Sequence, residues 1–166
     1  RDRLQQGTIR LNLVAGVREE VRTFFEEYKA DLLPENRNLQ VVHGSTKMEY
    51  FRRFSGILRT TDVLWTKPSE LSFYCALGIP IILSPPIGSQ EVFNRKWLLE
   101  IQAGIPQEDP EYTDQWLFDL LNSGRLAETA WNGFLNARKY GTYNIRKILD
   151  CGCTVRESPP INLKIA

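Results

Sequence analysis

The sequence predicts an α/β fold: a Rossmann-like parallel sheet of four to six strands with helices on both faces. Three observations carry this. Short apolar runs alternate with amphipathic stretches, which is the pattern of βαβ units. The run IPIIL at 79–83 is apolar throughout, as a strand buried on both faces must be. Gly or Pro punctuates most junctions between the two kinds of segment.

The elements follow in order. Residues 8–15 (TIRLNLVA) alternate in part and end at Gly16, as a strand and a tight turn do. From 17 to 33 the period changes. Val17, Val21, Phe24, Phe25, Tyr28 and Leu32 share one face and the charges from Arg18 to Lys29 take the solvent face, so a helix is expected, stopped by Pro34. A second strand covers 39–43 (LQVVH), ended by Gly44, and a helix covers 48–58. A third strand covers 62–65 (DVLW). A short helix at 70–77 closes at Gly78, and a fourth strand covers 80–83. The next helix spans 90–101 with Ser89 as its N-cap; a last short strand covers 103–106. Helices at 113–121, 126–137 and 143–149 complete the chain, the last after a break at Gly141. Trp97, Trp116 and Trp131 are expected as core or interface anchors rather than sugar platforms.

The chain of 166 residues suits a single domain over 1–166, ending in an extended tail at 150–166. A formal net charge of +1 gives no strong pull toward nucleic acid. No apolar stretch approaches the roughly 18 residues that span a bilayer. Cys75, Cys151 and Cys153 are an odd set, which argues against a disulfide framework and for a reducing, cytoplasmic setting. Cys151-Gly-Cys153 lacks metal-site spacing and is read as two unpaired thiols near a helix end. The start, RDRLQQG, has no signal peptide and no Met; the chain is read as a piece of a longer protein.

Ligands of open parallel sheets bind beyond the carboxyl ends of the strands. Four junctions fall at that edge: Gly16; His43-Gly44-Ser45; Lys67-Pro68-Ser69-Glu70; and residues 85–90. Each precedes a helix, whose free N–H groups and positive dipole end suit an anion such as a diphosphate. No GxGxxG and no GxxxxGK[ST] is present. His43 is the only histidine, so no His-His metal site exists; it serves either as a polar strand-end cap or as a functional group. Glu70 is either a first-turn acid that favours a helix start or a ligand contact.

The stretch from Lys67-Pro68-Ser69 through Gly78-Ile79-Pro80 and 81–83 to PPIGSQEVFN at 85–94 resembles the C-terminal, nucleotide-sugar-binding domain of GT-B-fold glycosyltransferases. The type is that of the peptidoglycan N-acetylglucosaminyltransferases and diacylglycerol glycosyltransferases, which carry Gly-[Leu/Ile]-Pro, an apolar strand and a Pro-rich loop ending Gly-Gln-Glu-x-x-Asn. The order of elements from 8 to 105 matches as well.

The resemblance implies one half of a GT-B fold that binds a nucleotide sugar, UDP-linked, for transfer to an acceptor. It implies that Gly16 lies near the diphosphate, His43 and Gly44 beside the base or ribose, and Ser69 at a phosphate; Lys67 is either a phosphate ligand or a solvated loop charge. Gln90 and Glu91 would bond donor-sugar hydroxyls, with Asn94 supporting that loop. Amide and carboxylate groups suit sugars because they satisfy several hydroxyls at fixed angles. The family's ribose-binding Glu, five residues before the Gly of Gly-x-Pro, is replaced by Phe73, and Glu70 is the nearest acid. The acceptor site and the catalytic base of that family lie on an N-terminal domain, so the catalytic residues stay unknown and this chain alone is expected to be inactive. Any peripheral membrane contact is expected through that other domain. No metal or other cofactor is expected, and no Asp-x-Asp motif is present. The alternative is a non-catalytic GT-B-like domain that has lost nucleotide recognition. UDP-sugar 2-epimerases share the fold, but their Asp-Ser-Gly-Gly does not match Thr66-Lys67-Pro68-Ser69.

Overall fold

The computed structural model describes residues 2–33, 37–69 and 71–152, so Pro34, Glu70, Cys153 and the tail that follows it lie outside the described residues. The chain is mixed α/β, with small parallel sheets flanked by helices. It divides into two compact units, one up to Thr61 and one from Asp62 onward.

The first unit runs α1 (Asp2–Gln5), β1 (Leu11–Gly16), α2 (Glu19–Leu32), β2 (Leu39–His43) and α3 (Lys47–Leu58). Strands β1 and β2 pair in parallel, Leu11 opposite Leu39 and Val14 opposite Val42, with an irregularity between Val14 and Gly16. Parallel neighbours need a crossover, which α2 supplies. Gly16 turns the chain at φ +68°, a conformation that favours glycine. Gly44 is held by close approach: a Cβ there would stand 2.6 Å from Tyr50 Cα and closer still to Tyr50 N. The start of α3 is doubly capped. Thr46 Oγ1 accepts from Glu49 N at 3.2 Å, and Glu49 Oε2 accepts from Ser45 N at 3.0 Å, a reciprocal arrangement close to a capping box. Helix α2 buries none of its residues; Phe24 and Tyr28 of its apolar face are exposed. A two-stranded sheet offers too little area to cover both α2 and α3.

The second unit contains β3 (Leu64–Thr66), α4 (Leu71–Ala76), β4 (Ile81–Leu83), α5 (Ser89–Glu100), β5 (Gly104–Pro106), a 3-10 turn (Pro110–Tyr112), α6 (Thr113–Asn122), α7 (Arg125–Asn136) and α8 (Gly141–Cys151). Its sheet is parallel in the order β3-β4-β5. All three residues of β4 are buried, the signature of a central strand covered on both faces. Leu71, Cys75, Leu98, Ala103 and Ala137 pack with β4 into one core. Burying a side chain such as Leu98 stabilises by about 1.5–3 kcal/mol.

The five strands among the described residues fall within the expected four to six, but their hydrogen bonds group them as two and three rather than one sheet. The N-cap of α5 is Gly88, not Ser89. Residues 150 and 151, expected in the tail, belong to α8. Cys151 is disulfide-bonded, which corrects the unpaired-thiol reading; Cys75 is free and buried. Trp116 is buried as expected, whereas Trp131 is 57% exposed and anchors no core. No helix among the described residues is long and apolar enough to cross a membrane.

Candidate functional site

Two connections shape the carboxyl edge of the second unit's sheet. After β3 the chain turns at residues 67–69, where Ser69 N donates to Lys67 O at 2.8 Å. After β4 comes the loop at 84–88. Its Ile87 N donates to Glu91 Oε2 at 2.7 Å, so a first-turn acid of α5 folds back onto the loop that delivers it. Asn94, one turn further along α5, donates through Nδ2 to Pro68 O at 3.0 Å and Ser69 O at 3.2 Å. One helix therefore holds both loops.

Gly88 occupies the N-cap of α5 in extended backbone, φ −124° and ψ 167°, and no side chain caps the helix there. The first N–H groups of a helix have no partner within it, and the dipole adds a partial positive charge. Lys67, Ser69 and Gln90 are exposed, while Pro68 between the first two is buried. Glu70 lies outside the described residues. Phe73, on α4, is 57% exposed.

Gly16, His43 and Gly44 belong to the first unit. Gly44 N donates to Gly16 O at 3.0 Å, so the two glycines join the ends of β1 and β2. His43 opens onto a cavity of about 450 Å³ lined by charged side chains of α2 and α3. Arg22 pairs with Glu19, and Arg53 with Glu49 at 2.7 Å. Hydrogen bonding from Arg22 holds the Glu19 carboxyl below its usual range. For Glu49 the Ser45 N–H is the main cause of the same shift, ahead of Arg53. His43 Nε2 is buried and lies 3.4 Å from Glu19 Oε2. That is close enough for an ion pair with a protonated imidazole, but no hydrogen bond reaches Nε2 among the described residues.

The sequence pattern missed Glu19 and Arg22, which read as solvent-facing charge, and gave Glu49 and Arg53 no role; for the second pair the Thr46-x-x-Glu49 spacing was the available signal. It also missed Trp65, Ser84 and Gln107. Trp65 Nε1 donates to Ser84 Oγ at 3.1 Å and Gln107 Oε1 at 2.8 Å, a contact between residues 42 apart that only the sheet order brings together. No group of three or more His, Cys, Asp or Glu that could hold a metal ion occurs among the described residues.

A family model described as "Domain of unknown function (DUF6938)" matches residues 6–148, so the chain belongs to that family. No curated protein and no solved structure matches it.

Proposed function

For this DUF6938 domain we propose donor-site binding: the second unit recognises a nucleotide sugar, UDP-linked, at the carboxyl edge of β3 and β4. It would serve as the donor-binding half of a GT-B-like glycosyltransferase. The observation that supports this is the Asn94 clamp. A single carboxamide joins the 67–69 turn to α5, whose N-terminus carries only glycine as its cap. In this reading the Ser69 hydroxyl and the α5 N–H groups take the diphosphate, with Lys67 adding positive charge. Gln90 and the remaining acceptor capacity of Glu91 take sugar hydroxyls. Diphosphate binding of this kind needs no metal, because backbone N–H groups and a lysine supply the counter-charge. Gly16 and Gly44 have backbone roles in the first unit that need no ligand.

Calorimetric titration of the whole chain with UDP and UDP-N-acetylglucosamine tests this. Saturable binding is expected, weakened about tenfold or more by Gln90→Ala and by Asn94→Ala, consistent with loss of one or two ligand hydrogen bonds or of loop order. A second reading is favoured by Phe73. An exposed phenyl ring on α4 stands where the resembling enzymes bind ribose through a carboxylate, and it accepts no hydrogen bond. Absence of binding to both nucleotides would support a domain that has lost nucleotide recognition.

A further inference from the structure

We propose that Trp65, Ser84 and Gln107 form a platform for a pyranose ring, stacked on the indole with its oxygens toward the two polar side chains. The inference rests on the donor-site reading and names the part of the ligand that the sheet edge recognises. Trp65 pairs in register with Ile82, and Ile82 with Ile105. Alternation along each strand puts residues two apart on the same face, so Ser84 and Gln107 follow on the face that Trp65 occupies. The indole thus reaches from β3 across the carboxyl ends of β4 and β5, where ligands of parallel sheets bind.

The polarity of the platform follows from the indole N–H, which only donates. Ser84 Oγ and Gln107 Oε1 must both accept from it, at 3.1 and 2.8 Å. The Ser84 hydroxyl proton and the Gln107 NH2 group are then left to donate elsewhere, so the platform offers donors to ligand oxygens. Trp116 packs edge-on against Trp65, with centroids 5.3 Å apart and planes at 70°, and Trp116 Nε1 is tied to Asp109 O at 2.9 Å. The indole is therefore fixed from both its N–H and its ring, yet Trp65 remains 39% exposed. A rigid, part-exposed aromatic surface beside oriented donors suits a ring with apolar C–H faces and a rim of oxygens.

Methyl N-acetyl-β-glucosaminide, which carries no nucleotide, probes the platform directly. The indole N–H signal of Trp65, one of 4 tryptophans, is assigned by its disappearance in Trp65→Phe. Saturable movement of that signal as the glycoside is added to the wild-type chain is expected; a signal that stays in place overturns the proposal. In parallel, Trp65→Leu should weaken UDP-N-acetylglucosamine binding about tenfold while changing UDP binding little; equal losses for both, in a folded variant, count against the platform. If Trp65→Leu does not fold, Gln107→Leu takes its place with the same two outcomes. Movement of the Trp65 signal by the glycoside, with neither nucleotide binding, sinks the donor-site reading and leaves the platform standing.

Discussion

The Asn94 carboxamide donates to the carbonyls of both Pro68 and Ser69, at 3.0 and 3.2 Å, and so ties α5 to the turn that follows β3. Replacing it removes this donor from the part-buried Pro68 carbonyl and from the exposed Ser69 carbonyl. Asn94→Ala should lower stability by about 1–3 kcal/mol, read as a lower urea midpoint. Asn94→Asp removes the NH2 donor and brings a carboxylate against two carbonyl oxygens, so it should fare no better despite its shape. An Asn94→Asp variant as stable as the wild type would show that the clamp does not hold the turn.

Two glycines of the first unit predict opposite outcomes for one substitution. A Cβ at Gly44 would stand 2.6 Å from Tyr50 Cα and 2.9 Å from Tyr50 Cβ. Backbone cannot give way as a flexible side chain does, so Gly44→Ala should destabilise by about 1–3 kcal/mol or more. Gly56 lies inside α3, and a Cβ there meets nothing within 4 Å. Gly56→Ala should stabilise by about 0.5–1 kcal/mol through helix propensity. Thermal unfolding of the pair checks the sign of each.

Most elements were legible because their signals are local. Strand β2 begins and ends where the run LQVVH does, since a short apolar run closed by glycine leaves few alternatives. Helix ends shifted by a residue or two, because capping depends on where the preceding loop arrives. Gly88 rather than Ser89 caps α5 because Glu91 reaches back to Ile87 N and sets the phase of the first turn. The grouping of strands was not legible: hydrogen bonds between particular strands are tertiary facts, and periodicity reports only that strands exist. The Trp65–Gln107 contact was hidden for the same reason, since residues far apart in sequence meet there only once β4 lies between β3 and β5.

Glu91 combines two effects that substitution separates. Its carboxylate accepts from Ile87 N and places negative charge in the first turn of α5. Glu91→Gln keeps an acceptor and loses the charge, which should cost about 0.3–1 kcal/mol. Glu91→Ala loses both and should cost about 1 kcal/mol more. The gap between the two variants in urea unfolding measures the loop contact alone; no gap would mean that the 84–88 loop does not depend on it.

Acid sensitivity should trace in part to the start of α3. The Ser45 N–H, with help from Arg53, lowers the pKa of Glu49 in the folded chain. A group whose folded pKa lies below its unfolded value binds its proton more readily when unfolded. Its contribution is therefore complete above the unfolded value, about 4.3 for Glu, and is lost as pH falls through the folded one. Glu19, lowered chiefly by Arg22, acts in the same direction. Unfolding midpoints measured from about pH 7 down to about pH 3 should fall for the wild-type chain below the usual carboxylate range. Glu49→Gln should be less stable at neutral pH, because Ser45 N and Arg53 lose their charged partner. It should also lose stability less steeply in acid, so the two curves converge as the pH drops. Parallel curves for wild type and Glu49→Gln would show that this carboxylate carries no share of the acid response.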